Sequence, residues 1–363
     1  MEQPLRHVGI GFGRLEQLHD GLGEFSMQLG SRLAARHKEL RERHGIVLHF
    51  HLPPVRHGLF GPEVSYIASS RLHRYIHWDR REFALWHSLH QFAKYRPPMR
   101  TQCHLLTLHD LNYLYGPVHR RRARTHRKHL SLVKRVDALA AISQHTAEDV
   151  RQHLHWARPI EVIYNGCTDL SGLLGKRPPS LRFERFFFHL SRMAPSKNPE
   201  SLLALAAYRP HWNFVLAGPR SNDTERIADA ARSRSLQNVQ VLESISVAEK
   251  AWLFEHCEAF VFPSITEGFG LPPIEAMHMG CAVFLSDRTS LPEIGGSVAR
   301  YFRTFEPAEM ATLIEAELPT LVTPEARART RHHAASFDWD VCAQHYINLY
   351  LRLLALPANN ATS

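Results

Sequence analysis

The hydrophobic positions along this chain fall in short runs separated by helical patterns, and the alternation occurs twice. In the first half, His7–Phe12 and Ile46–Leu52 are apolar runs of strand length, with helical spacing over about Gly23–His44 between them. Leu105–His109, Ala138–Ile142 and Ile160–Ile163 read as further strands. Between the last two, Ser143 stands as the N-cap of a helix reaching about His155. Asn165-Gly166 then marks a turn, and Ser171–Ser180, with Gly172, Gly175, Pro178 and Pro179, breaks the pattern. The alternation restarts with strands at Phe186–Ser191, Asn213–Ala217, Val239–Leu242, Ala259–Pro263 and Ala282–Leu285. Strand–helix alternation builds parallel sheets with crossover helices. The pattern therefore predicts an α/β chain of two Rossmann-like lobes with parallel sheets facing a cleft, where ligands bind beyond the carboxyl ends of the strands. Phe337–Ala355 is an amphipathic helix with Trp339, Cys342, Tyr346, Leu349 and Leu353 on its apolar face.

Length and composition fit that picture. The 363 residues suit two domains of ordinary size, and 44% hydrophobic residues exclude wholesale disorder. The charge is uneven. Residues 1–175 hold 25 Lys+Arg against 15 Asp+Glu, a net of +10, whereas residues 176–363 hold 19 against 20. The first half also carries 19 of the 26 histidines. Such a cationic half points to an anionic partner: nucleic acid, anionic lipid or a phosphorylated substrate. No window approaches the roughly 20 apolar residues of a membrane span, and the start of the chain lacks a signal-peptide pattern. The five cysteines are scattered without a CxxC pair, which predicts reduced core thiols in a cytoplasmic protein.

The richest chemistry lies in Phe262-Pro-Ser-Ile-Thr-Glu267-Gly-Phe-Gly-Leu-Pro-Pro-Ile-Glu275. A strand ends, a loop with two glycines follows, and Pro272-Pro273 suits a helix start, where a missing N–H costs little. The free amides there, with those of Gly268, Phe269, Gly270 and Leu271, form an anion cradle. Two carboxylates beside a phosphate site are unfavourable unless they bind something else. Sugar hydroxyls are the obvious partners, a ribose for Glu275 and a hexose for Glu267.

At these residues the chain resembles the retaining GT-B glycosyltransferases of family 4, also called glycosyl transferases group 1, whose E-x7-E motif matches Glu267 and Glu275. His189-Leu-Ser-Arg192-Met-Ala-Pro-Ser-Lys197-Asn-Pro resembles that family's diphosphate-binding Arg and Lys. Leu216-Ala-Gly218-Pro resembles its middle-strand glycine motif, and Thr107-Leu-His109-Asp-Leu its active-site histidine segment. Asp20-Gly21-Leu-Gly23-Glu24 resembles the glycine loop opening its first long helix, and Val162-Ile-Tyr-Asn-Gly166 the end of its N-terminal domain. The resemblance implies an acceptor-side domain at 1–170 joined by helix 337–355, a linker at 171–183 and a nucleotide-sugar domain at 184–336. It implies retaining transfer of a hexose from a GDP- or UDP-sugar to a glycan or lipid-linked acceptor, in lipopolysaccharide or exopolysaccharide synthesis, by a mannosyltransferase-like enzyme. Arg192, Lys197, Glu267 and His109 would be the catalytic set. Gly21, Gly23, Gly218, Gly268, Phe269, Gly270, Leu271 and Glu275, with the same Arg, Lys and Glu267, would bind the donor. Arg192, Lys197 and the helix end would stabilise the leaving diphosphate without a metal.

Other features carry less. His49 and His51 lie i, i+2 on one strand face, but no further ligand set presents itself, so no metal is expected. Asp338-Trp339-Asp340 spells DxD, yet its place at a helix start suits capping. Gly21-Leu-Gly23-Glu-Phe-Ser26 nearly spells the GxGxxG of a nicotinamide oxidoreductase, but the last position is Ser and no strand immediately precedes it. Nucleic-acid signatures are absent, so no nucleic-acid partner is expected. The run Arg120–Lys128 and the basic half are left for a solvated face, anionic headgroups or an acidic acceptor, with peripheral attachment to the inner face of a membrane.

Overall fold

The structure, a computed structural model, describes residues 4–13, 21–92, 95–115 and 120–355, with the backbone alone at 120–121. The chain forms two compact units. One comprises the residues up to Gly166 and those from Trp339 onward; the other is Cys167–Asp338.

The first unit is built on seven strands: β1 (Arg6–Gly11), β2 (Ile46–Leu52), β3 (Ser65–Ala68), β4 (Phe83–Ser88), β5 (His104–Leu108), β6 (Ala138–Ala141) and β7 (Ile160–Val162). They form one parallel sheet in the order β3-β2-β1-β4-β5-β6-β7. Helices α1 (Gly21–Ala35), α2 (His37–His44), α3 (Arg120–Val133) and α4 (Gln144–Leu154) belong to this unit. The single helix expected at Gly23–His44 is thus two, broken at Arg36. Ser143 caps α4, its hydroxyl accepting from the Thr146 amide at 3.0 Å.

The second sheet runs β10-β9-β8-β11-β12-β13 and is also parallel. Its strands are β8 (Phe187–Leu190), β9 (Phe214–Gly218), β10 (Val239–Glu243), β11 (Ala259–Phe262), β12 (Val283–Ser286) and β13 (Arg300–Phe302). Their connections include α5 (Pro199–Tyr208), α6 (Asn222–Ser233), α7 (Val247–His256), α8 (Leu271–His278), α9 (Leu291–Gly295) and α10 (Pro307–Leu321), with α11 (Pro324–Ala334) following β13 and α10. The central strands are predominantly apolar because both faces are covered. Phe187, Phe214, Leu216, Val261 and Phe284 sit in one core with Leu202, Ile227 and Ile314 from the helices.

The last helix, α12 (Trp339–Ala355), packs in the first unit, where Trp339, Tyr346 and Tyr350 share the core of Phe25, Leu29 and Phe50. Asp340 of the DxD sequence ion-pairs with Arg32 and Arg36 at 3.3 Å, tying α12 to α1. The stretch expected as a linker, 171–183, belongs to the second unit. The Lys176 amide donates to Ala248 O at 3.0 Å, Arg182 N to Gln240 Oε1 at 3.0 Å, and Gly175 packs on the Trp252 backbone. The chain changes unit at Gly166–Cys167 and Asp338–Trp339, rather than at 170 and 336. None of the five cysteines is in a disulfide; four are buried.

Candidate functional site

In the second sheet the strand order reverses between β8 and β11. That reversal opens a crevice at the strand ends, because the connections leave β8 and β11 toward opposite faces. The two segments leaving these ends are 191–198 and 263–270, which hold Arg192, Lys197 and Glu267.

The first segment is shaped by buried hydrogen bonds. His189 is buried, and its Nδ1 donates to Val261 O at 2.9 Å, so its Nε2 accepts from the Ser191 hydroxyl at 2.8 Å. Burial lowers its pKa to about 4 and keeps it neutral, as this bonding requires. Ser191 Oγ in turn accepts from the Met193 amide at 3.0 Å. This bond and the complete burial of the Met193 side chain hold Met193 at φ 55°, a left-handed conformation that costs a non-glycine residue on the order of 1 kcal/mol. Arg192 is thereby left exposed at the turn. Among the described residues it makes no ion pair. A single 3-10 turn, Pro195–Lys197, then places Lys197.

Lys197 Nζ lies 2.6 Å from Glu267 Oε1, and both side chains are about nine-tenths buried, at 12% and 10% exposure. The Glu267 loop is fixed by hydroxyls beneath it. The Glu267 amide donates to Thr289 Oγ1 at 2.9 Å, and the Ser290 hydroxyl donates to Phe269 O at 2.8 Å. Ser264 Oγ donates to Ser196 O at 3.0 Å and Ser286 Oγ to Ser264 O at 2.5 Å, so the two segments are stitched together. Phe269 is buried edge-on against Phe337.

Gly270 stands at φ 118°, which a side chain would resist, and α8 begins at the next residue with Leu271-Pro272-Pro273. Glu275 is buried one turn into α8, and its Oε1 meets Lys250 Nζ at 2.5 Å. Lys250 comes from α7, which starts at a Ser246/Glu249 capping box. The site thus contains two lysine–glutamate pairs, each close to neutral overall. The excess positive charge comes from Arg192 and the amides at the start of α8.

Gly218 ends β9. A Cβ there would lie 2.5 Å from Ser191 O, at the root of the Arg192 turn. Its glycine identity thus serves close packing. Gly218→Ala is expected to cost about 1–3 kcal/mol, a fall of roughly 2–10 °C in the melting temperature of the second unit, measured by calorimetry.

The first unit holds the remaining sequence candidates. His109 follows β5 and is buried. Its backbone N–H bonds Gln91 Oε1 at 3.1 Å and its Nε2 donates to Leu89 O at 2.9 Å, beside the end of β4, where this sheet also reverses order. Burial lowers its pKa to about 3, so it is a neutral ring whose Nδ1 carries a lone pair. Gly21 and Gly23 open α1, Gly21 exposed and Gly23 buried; Asp20, just before them, lies outside the described residues. The structure therefore gathers Arg192, Lys197, Gly218, Glu267, Gly268, Phe269, Gly270, Leu271 and Glu275 in the second unit, with His109, Gly21 and Gly23 in the first.

Sequence reasoning missed Lys250 and the Ser264, Ser286, Thr289 and Ser290 supports. A lone Lys in an amphipathic helix has no local signature, and its partner is 25 residues away.

Residues 177–312 match the family model for glycosyl transferases group 1. The serotype-specific mannosyltransferase WbdA of Escherichia coli is 29% identical over 249 residues, 62% of this chain and 30% of that protein. The chain thus spans about 30% of the length of that relative. The O-antigen chain mannosyltransferase B of Escherichia coli is 24% identical over 369 residues, covering 91% of this chain and 95% of that protein. The sucrose-phosphate synthase structure from Thermosynechococcus elongatus superposes with a TM-score of 0.74 at 19% identity, over 96% of this chain and 99% of that one. The two-sheet architecture is the GT-B fold.

Proposed function

We propose that this chain is a retaining hexosyltransferase of the glycosyl transferases group 1, using a GDP- or UDP-linked sugar, with mannose the first sugar to try. The observation that carries the reading is the convergence of Arg192, the Lys197–Glu267 pair and the Lys250–Glu275 pair at the reversal of the second sheet. The relatives' names favour mannose and O-antigen or other surface polysaccharide; the side chains of the site do not choose the base.

The chemistry follows from charge. Breaking the bond between anomeric carbon and diphosphate leaves extra negative charge on the leaving group and positive charge on the sugar. Arg192 and the α8 amides face the first of these with fixed donors, and the Lys197 ammonium adds to them. Glu267 holds Lys197 in place and offers its second oxygen to a sugar hydroxyl. Glu275, held by Lys250, is one turn further into α8 and suits the ribose. In this reading no divalent ion is needed for the leaving group. His109 takes part as a neutral hydrogen-bond acceptor through Nδ1 rather than as a cation or a strong base, since its pKa is about 3.

A thermal-shift panel of GDP-, UDP- and ADP-sugars tests the reading. A bound donor at a hundredfold its Kd stabilises by about 2.7 kcal/mol, and one nucleotide class should shift the melting point well above the others. Wild-type turnover in Glu275→Ala would refute the site assignment.

The first unit carries the acceptor side of the reaction in this proposal. No helix among the described residues is long and apolar enough to cross a membrane. The segment Arg71–Arg80 exposes Leu72, Tyr75, Ile76 and Trp78 together with Arg71 and Arg80, while Met99 and Arg100 are exposed nearby in sequence. Apolar side chains among cations suit the headgroup region of an anionic bilayer presenting a lipid-linked acceptor. Flotation with anionic vesicles should capture the protein, and Trp78→Ser with Ile76→Ser should abolish capture. Equal capture by neutral vesicles would contradict this part.

A further inference from the structure

We propose that the first unit contains a three-histidine site for zinc or a similar divalent transition ion, formed by His51, His73 and His77. This is independent of the glycosyltransfer reading. His51 lies on β2, His73 in the 3-10 turn Arg71–Arg74, and His77 four residues further on. One ring nitrogen from each lies within 4.8 Å of the other two. His51 Nε2 and His73 Nδ1 are 2.9 Å apart, and the rings of His73 and His77 stack at 3.9 Å.

The bonding of His77 shows why the cluster needs a further partner. Its Nδ1 is 2.9 Å from Arg96 O, and a carbonyl only accepts, so Nδ1 carries the proton. Nε2 then holds a lone pair. That atom is buried without a hydrogen-bond partner, in a side chain 1% exposed. A buried acceptor without a donor is costly, and a metal ion satisfies it. An imidazole N–H donated to a backbone carbonyl is also the usual support for a metal-bound histidine, because it fixes the tautomer and the ring plane. His51 Nδ1 is a second buried ring nitrogen without a partner, in a side chain that is fully buried. Three neutral imidazoles are borderline-soft ligands. They suit zinc, cobalt or nickel and disfavour magnesium and calcium, which take oxygen ligands. His73 is partly exposed, which leaves room for a water as fourth ligand.

The site also has a structural consequence. His73 and His77 turn inward from the same segment that exposes Leu72, Tyr75, Ile76 and Trp78. An ion shared with His51 of the sheet would pin that segment to β2 and β4, where the His77 ring already packs edge-on to Trp86.

The test uses untagged full-length protein loaded with zinc, desalted and assayed for metal by mass spectrometry, beside His73→Gln and His77→Gln. Because the chain has 26 histidines, the comparison with the variants carries the result, not the wild-type content alone. The proposal expects about one zinc per wild-type chain, little in either variant, and a melting temperature raised by zinc only in the wild type. Cobalt in the wild type should give the strong visible bands of a four-coordinate ion, lost in His77→Gln, while magnesium changes nothing. Equal zinc in wild type and variants, no retained zinc, or only the weak spectrum of six-coordinate cobalt would overturn it. Should either variant fail to fold by circular dichroism, the wild-type cobalt spectrum decides.

Discussion

Lys197→Ala lowers kcat/KM for sugar transfer by about a thousandfold, the expected loss when a fixed donor to a developing oxyanion is removed. The same substitution costs stability, because Glu267 keeps a buried carboxylate with its partner gone; breaking such a pair costs about 3 kcal/mol. The two losses separate in a second variant. Lys197→Met with Glu267→Gln removes both charges and leaves no buried charge unpaired, so it recovers most of the melting temperature while activity stays lost. Steady-state kinetics and calorimetry on the three proteins check this. Turnover of Lys197→Ala within about threefold of wild type would show that the pair is structural alone.

The first unit unfolds on mild acidification well before the second. His87, His104 and His109 are buried, with pKa values lowered to about 3, 4 and 3 by desolvation, whereas an unfolded histidine has about 6.5. Each is neutral in the fold and must stay so: His87 lies between Tyr350 and Thr107, its Nδ1 2.6 Å and its Nε2 2.8 Å from their hydroxyls. The sign follows from proton binding. Below pH 6.5 the unfolded chain takes up protons that the folded chain refuses, so the stability is complete above 6.5 and is lost as the pH falls toward the folded values. At pH 5.5 each histidine removes about 1.4 kcal/mol, roughly 4 kcal/mol for the three if they act independently. The second unit has one comparable group, His189. Calorimetry between pH 7.5 and 5.5 should show the transition of the first unit moving down strongly and that of the second little. His87→Phe would not serve as a control, since it takes away the partner of the buried Tyr350 hydroxyl and leaves Thr107 only Tyr346; parallel movement of both transitions would contradict the assignment.

The parallel sheets were legible because their central strands are buried on both faces and spell continuous apolar runs. β2 appears over the same residues, Ile46–Leu52, that the sequence pattern marks. Other strands were not legible, for physical reasons. β4, Phe83–Ser88, includes a histidine that reads as polar but sits in the core between Tyr350 and Thr107. β3 and β13 are short edge strands, only partly buried, and spell no continuous apolar run. The break at Arg36 between α1 and α2 carries neither glycine nor proline, so nothing local announced it.

The candidate site divides in the same way. Glu267, Glu275, Lys197 and Arg192 were visible because their spacing from strand ends is local. Lys250 was not, since it sits on a different helix, α7, and only the fold brings it to Glu275 on α8. The histidine trio was half visible. His49 and His51 share a strand, but His49 bonds His7 and Arg81, and the partners of His51 arrive 22 and 26 residues later.

The central claim is retaining transfer of a hexose from a nucleotide-diphosphate donor. Proton NMR of the anomeric signal during turnover, with no divalent ion added, tests it most directly. From an α-linked donor the account predicts that the first-formed product is α, appearing with the nucleoside diphosphate. A β product, or no release of nucleoside diphosphate from any GDP- or UDP-hexose, would contradict it.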